Sequence, residues 1–209
     1  MRSAFNTRLI RASAAGAACL LAASCQTAPP IDRTSNAALF SVVPTCASGA
    51  SANLADGLRI KYLGSDPDDP HRCMVQWSDR AHPLYFGFWS AEPKAPITEE
   101  ARAAFLTALT GPVGASASFP MQGGRLWNRA TVTHTSNGTI AVAGQTRTAL
   151  ELAVVLHDAQ GRPDVRAETR YMIDRATGVL LRRQTVTPMA NGEVTTTTIW
   201  QVGSLQEAG

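Results

Sequence analysis

The sequence predicts a mainly β, α+β fold: a curved antiparallel meander sheet carrying one helix near residues 98–110. Three observations lead there. Apolar and polar residues alternate with period two in several short stretches, the mark of half-buried strands. Clusters of Asp, Asn, Gly and Pro fall between those stretches at hairpin distances, and successive hairpins build antiparallel sheet. A single stretch carries both a start and a stop signal for a helix. A chain of 209 residues has room for one domain with short accessories. The reading divides it into an export segment 1–24, a tether 25–53 and a single β-rich soluble domain 54–205.

Leu58-Arg-Ile-Lys-Tyr-Leu63 alternates apolar and basic residues and reads as a strand. Asp66-Pro-Asp-Asp-Pro70 reads as a loop, because two prolines remove backbone donors and the acids favour turns. Strands are expected at Cys73–Trp77 and Leu84–Trp89, separated by a turn over Ser78–Pro83. Thr98 caps the helix, Glu99 and Glu100 complement its positive end, and Gly111-Pro112 stops it. Ala104, Phe105, Ala108 and Leu109 fall on one face of that helix. Beyond the Ser/Gly-rich stretch 114–124, Ala130–His134 leads through an expected turn at Ser136-Asn-Gly138 into Thr139–Ala143. Leu150, Leu152, Val154 and Leu156 recur with period two, with Glu151 and His157 on the alternate positions, and Asp158–Gly161 turns the chain into Val165–Ile173. Asp174–Gly178 turns it again into Val179–Thr187, and Asn191-Gly192 leads into Val194–Trp200. Asn-Gly between strand-like runs is a strong hairpin signal, since both residues tolerate positive φ.

The first residues read as an address. Arg2, Arg8 and Arg11 precede an uncharged run from Ala12 to Ala23, the n- and h-regions of a secretory signal. That run of about 12 residues is too short to span a hydrocarbon core of roughly 30 Å as a helix. Leu20-Leu-Ala-Ala-Ser-Cys25 resembles the lipobox of bacterial lipoproteins, with Ala22 standing where leucine is commonest. The resemblance implies acylation of the Cys25 thiol, as with palmitate, and a membrane partner held through that lipid. Gln26 rather than Asp after Cys25 then implies the outer membrane in a Gram-negative host. Ala22-x-Ser24 also suits an ordinary signal peptidase, which would leave a secreted or periplasmic protein. The Pro- and Thr-bearing stretch after Cys25 reads as a semi-extended tether.

The whole chain carries 19 Lys+Arg and 16 Asp+Glu, net +3. The three leader arginines account for that excess, so the remainder is neutral. A neutral body with no basic cluster lacks what phosphate backbones require, which excludes nucleic acid as a partner. Arg182-Arg183 reads as a solvated strand edge. Two further cysteines, Cys46 and Cys73, read as a disulfide in an exported chain, against the alternative of two buried thiols. The bridge would contribute about 3.5 kcal/mol in the chain-entropy model.

No catalytic, metal or cofactor site is legible. His71, His82, His134 and His157 show no metal-ligand spacing, and no nucleophile elbow or phosphate-binding glycine loop is present. Asp66, Asp68 and Asp69 lack the rest of a calcium loop. Tyr171–Leu181 resembles hairpins of periplasmic β-rich proteins, including half-barrel carriers of lipoproteins, which implies curved sheet. Pro83-Leu-Tyr-Phe-Gly-Phe-Trp-Ser90 concentrates aromatics. Trp77, Tyr85, Phe86, Phe88 and Trp89 therefore read either as a buried strand with its neighbour or as a wall for an acyl chain, a peptide or a glycan. The expectation is an envelope lipoprotein acting as a binding, assembly or structural module with an envelope protein partner. A carrier or chaperone of an apolar ligand is the alternative, and a hydrolase assembled from distant strands comes third.

Overall fold

The structure, a computed structural model, describes residues 46–90, 97–121, 127–158, 160–189 and 191–207. The export segment, Cys25 and the tether to residue 45 lie outside the described residues. The elements in chain order are β1 (Ser51–Leu54), β2 (Arg59–Asp66), β3 (Asp69–Trp77), β4 (Arg80–Tyr85), α1 (Glu99–Thr110), β5 (Ser116–Pro120), β6 (Trp127–Val142), β7 (Gln145–Asp158), β8 (Pro163–Asp174), β9 (Leu180–Pro188) and β10 (Val194–Gln206). The folded part therefore reaches back into the stretch read as tether, since Ser51–Leu54 is a strand.

Among the described residues the strands form one ten-stranded sheet, ordered β4-β3-β2-β1-β10-β9-β8-β7-β6-β5. Neighbouring strands run antiparallel throughout. The chain thus starts mid-sheet, meanders to one edge, crosses to the other edge in the segment containing α1, and meanders back. β10 closes the circuit by pairing with β1, Ser51 opposite Gln206.

The sheet is strongly curled. β6 and β10 come within 8 Å at their Cα atoms although three strands lie between them. A flat sheet at about 4.8 Å per strand would hold them roughly 19 Å apart. Bulges interrupt the pairing at several points, including His134/Ser136, Met172/Ile173 and Thr198/Trp200, and each adds local twist. The curl gathers two apolar clusters. One sets Phe105, Ala101, Ala104, Ala108 and Leu109 of α1 against Val132, Leu152, Val154 and Ile173. The other joins Ile60, Tyr62 and Val75 to Val142, Leu181 and Val202, and Trp200 packs against both.

α1 follows its signals. The Thr98 hydroxyl accepts the Ala101 N–H at 3.2 Å, and the Gly111 N–H closes on the Thr107 carbonyl. Its apolar face is the predicted one, with Ala101 added. The Cys46–Cys73 disulfide is formed, spanning 27 positions. It staples the chain ahead of β1 to β3.

The structure corrects several boundaries. Ser136-Asn137-Gly138 is not a turn: β6 runs through it to Val142. The Asn137 side chain is taken up by the fully buried His134 (3.0 Å) and by Arg175, and a bulge absorbs the irregularity. The reversal falls instead at Ala143-Gly144, both at positive φ. The loop expected over Asp66–Pro70 tightens to the two residues between paired Asp66 and Asp69. Leu84–Trp89 is not a strand either. β4 occupies Arg80–Tyr85, within which Pro83 is tolerated because β4 is an edge. Tyr85–Trp89 is then a tight reversal, with Tyr85 N–H bonded to the Trp89 carbonyl and the return bond at 3.0 Å.

Candidate functional site

That reversal requires φ of 55° at Phe86 and 79° at Gly87. Positive φ is costly for a bulky side chain and persists only where packing enforces it. Here Phe86 is 1% exposed, and its N–H is bonded to the His71 carbonyl. A Cβ at Gly87 would sit 3.5 Å from the Gly178 carbonyl and 3.7 Å from the Cys73 sulfur. The aromatic reversal is therefore wedged between the disulfide and the β8–β9 turn. Its rings converge on α1: Phe86, Phe88 and Trp89 lie 5.6, 5.8 and 4.9 Å from the Phe105 centroid. Tyr85, Phe86, Phe88 and Trp89 are all buried. They form the floor beneath α1 and are covered by it.

α1 is fixed from its polar side as well. Arg102 donates through two nitrogens to the Asp69 carboxylate, each at 2.8 Å, and lies 2.8 Å from His71 Nδ1. The hydrogen bond from Arg102 holds Asp69 below the usual carboxylate range, against the opposing effect of its partial burial. Two of the three aspartates of the 66–70 segment thus have structural partners, Asp66 with Arg72 and Asp69 with Arg102.

Trp77 lies apart from the other four aromatics of the expected wall. It stacks on His82 at 3.8 Å and meets Trp200 edge to face at 6.4 Å. Trp200 is fixed by donating its indole N–H to the Leu180 carbonyl at 3.2 Å. In register, Trp200 on β10 stands opposite Arg183 on β9, and Arg183 opposite Tyr171 on β8. The Arg183 guanidinium lies over the Tyr171 ring at 5.7 Å. Burial pushes the Tyr171 phenol above its ordinary value, and Arg183 pulls it the other way. The result is a row that runs from the buried Tyr171 to the half-buried Arg183, Trp200, Trp77 and His82. Sequence reading placed Arg182 and Arg183 on a solvated edge, but β9 is interior and both Nε atoms are buried. Adjacent residues on a strand face opposite ways. Arg182 accordingly reaches Met172 on the other face while Arg183 joins the aromatic row. Period-two counting along 179–187 was the signal that could have separated them.

A second polar arrangement bears on hydrolysis. Ser118 Oγ lies 2.7 Å from Thr131 Oγ1, which lies 2.7 Å from His157 Nε2. The chain borders a shallow groove of about 510 Å³ with Asn128, Arg129 and Gln160 on its walls. A threonine intervenes between serine and histidine, and the buried His157 Nδ1 has no hydrogen-bond partner to orient the ring. The contacts of an activated nucleophile are not assembled there. Among the described residues no three His, Cys, Asp or Glu side chains are grouped to hold a metal ion, and no helix is long and apolar enough to cross a membrane.

No family model and no curated protein matches this chain. Among solved structures, it is similar to the hypothetical lipoprotein YmcC from Escherichia coli K12. The identity is 14% and the TM-score 0.41, over 84% of this chain and 96% of that one. A domain from Vibrio parahaemolyticus ascribed to outer-membrane lipoprotein sorting matches at 14% identity and a TM-score of 0.17, over 83% and 89%. At these distances nothing about this chain's function follows from either.

Proposed function

We propose that the chain is the precursor of an envelope lipoprotein whose β-rich body is a tethered binding or assembly module. In this reading residues 1–24 direct export, Cys25 carries the lipid, and the body faces the periplasm from the outer membrane. The lipobox-like segment and the neutral remainder support the address, and the Cys46–Cys73 bridge suits an oxidising compartment. One observation carries the module reading. Val194–Ile199 of β10 is uncharged and exposed along its whole length, and among the described residues it pairs only with β9. Folded proteins guard such edges with charge, proline or cover. An unguarded one suits strand addition by a partner. Intact-mass analysis of membrane-extracted protein tests the address: acyl mass on a chain beginning at Cys25, lost in Cys25→Ser, is the expected result. An unmodified chain in the aqueous phase overturns it. Crosslinking from native membranes tests the module, with Thr196→Pro expected to abolish a defined adduct.

A carrier of an apolar ligand is the second reading, favoured by the curled sheet with a helix across it. It requires α1 to leave, because Phe105 and the floor aromatics fill the space beneath it. Native mass spectrometry showing retained lipid would support it.

A further inference from the structure

The two outer strands and the first half of β10 each present an open edge among the described residues, and the sequence treats them differently. β4 carries Arg80 and Pro83, and β5 is five residues long and ends at Pro120. Charge, proline and shortness are the usual guards against edge-to-edge pairing. Val194–Ile199 of β10, Val-Thr-Thr-Thr-Thr-Ile, is guarded by neither charge nor proline. Its edge is open because β1 stops short. The Ala55 N–H bonds the Gln201 carbonyl at 2.9 Å, and the chain then turns through Gly57, at φ 90°, into β2. Three of the five large apolar side chains left exposed among the described residues, Met189, Val194 and Ile199, lie on this same hairpin.

The same exposure restricts the occupant. Successive residues of a strand face opposite ways, and all six of these are exposed, so no wall rises on either face to read a foreign strand's side chains. Pockets of that kind are what give strand addition its specificity. Discrimination is left to cross-strand pairs, and the segment is its own match. We infer that the partner is a second copy of this chain, the two β10 strands pairing antiparallel about a two-fold axis through Thr196. The regular ladder with β9 runs from Val194 to Thr198 before the bulge, and Thr196 is its middle residue. The axis then sets Thr196 on Thr196, Thr195 on Thr197 and Val194 on Thr198. Opposed threonines are favourable cross-strand pairs, and no like charges are brought together. A two-fold contact closes on itself, so each copy's open edge is used up by the other. Five residues at about 3.4 Å each give a seam of roughly 17 Å, at the small end of specific interfaces. Self-pairing rests on the module reading of this edge and gives that module its partner.

Charge swapping at Thr196 tests this, because a residue on the axis meets its own copy. The full chain in mild detergent is followed by sedimentation velocity as wild type, as Thr196→Lys, as Thr196→Asp and as an equimolar mixture of the two variants. The wild type is expected to dimerise. Each variant alone should weaken dimerisation at least tenfold, since like charges then face each other, and the mixture should recover it through a Lys–Asp pair across the axis. Near-UV circular dichroism establishes that each variant is folded. A monomeric wild type overturns self-pairing without any variant. So does a folded Thr196→Lys chain that dimerises as tightly as the wild type, or a mixture of folded variants that recovers nothing. Crosslinking in wild-type membranes separates self-pairing from the reading beneath it. An adduct of two copies is the expected product. An adduct with a different protein alone overturns self-pairing and leaves the module reading standing, and no adduct at all overturns both.

Discussion

The two meanders are held together by different means. The first, β1–β4, is short-stranded and small-cored, and a covalent staple fixes it: Cys46 before β1 is bonded to Cys73 in β3. The second, β5–β10, has strands up to 16 residues long and carries no cysteine. It relies on aromatic packing under α1 and on a buried polar hub at its β8–β9 turn. There the Asp174 carboxylate, 1% exposed, receives Arg147 at 2.6 and 3.2 Å together with the Thr177 hydroxyl and N–H. Where a core is too thin to supply enough burial, a crosslink substitutes for area, and where helix and sheet can stack, side chains suffice.

Three experiments sharpen this contrast. The largest effect is expected from Phe105→Ala, which empties the centre of the aromatic cluster. A loss of about 3–5 kcal/mol is the ordinary cost of such a cavity, and a fall in Tm on the order of 10 °C should accompany it. Calorimetry checks this, and a change below 1 kcal/mol would place the weight of the second meander elsewhere. Next, Cys46→Ser with Cys73→Ala should cost about 3 kcal/mol, with hydrogen exchange rising first in β1–β4. Uniform exchange across both meanders would erase the distinction. The smallest effect concerns the Asp69–Arg102 clamp on α1. Asp69 is held below its ordinary pKa, so its contribution is fully present above roughly pH 5 and is lost as pH falls below about 4. Asp69→Asn should remove that part of the acid sensitivity, which denaturant midpoints between pH 3 and 7 would reveal.

Local grammar was legible in the sequence and long-range geometry was not. The Thr98 cap, the Gly111 stop and the turns at Asp158–Gly161, Asp174–Gly178 and Asn191-Gly192 depend on neighbours in the chain, and they stand as read. Asn137-Gly138 misled because a buried histidine, placed by the global fold, claimed the asparagine side chain that a turn would have used. The aromatic segment misled for a related reason. Its period-two pattern is that of a strand, yet it closes into a reversal held by the paired Tyr85 and Trp89 backbones and by the bond from Phe86 N–H to the His71 carbonyl, with Phe86 at positive φ. Of the residues read as a ligand wall, four became floor and only Trp77 reached the half-buried row. Its companions Trp200 and Arg183 lie more than a hundred positions away, and no local pattern links them.

The contact between β1 and β10 has a consequence for how the molecule comes into being. Asn53 and Ser204 are hydrogen-bonded at 2.9 Å although 151 positions separate them. β1 must wait for β10 before its second edge is satisfied, so the pairing in the middle of the sheet cannot form until the chain has been made as far as Gln206. Such distant pairing makes for slow folding. A chain cut just before Val194 would lose the keystone, leaving β1 and β9 as two raw edges in the middle of the sheet.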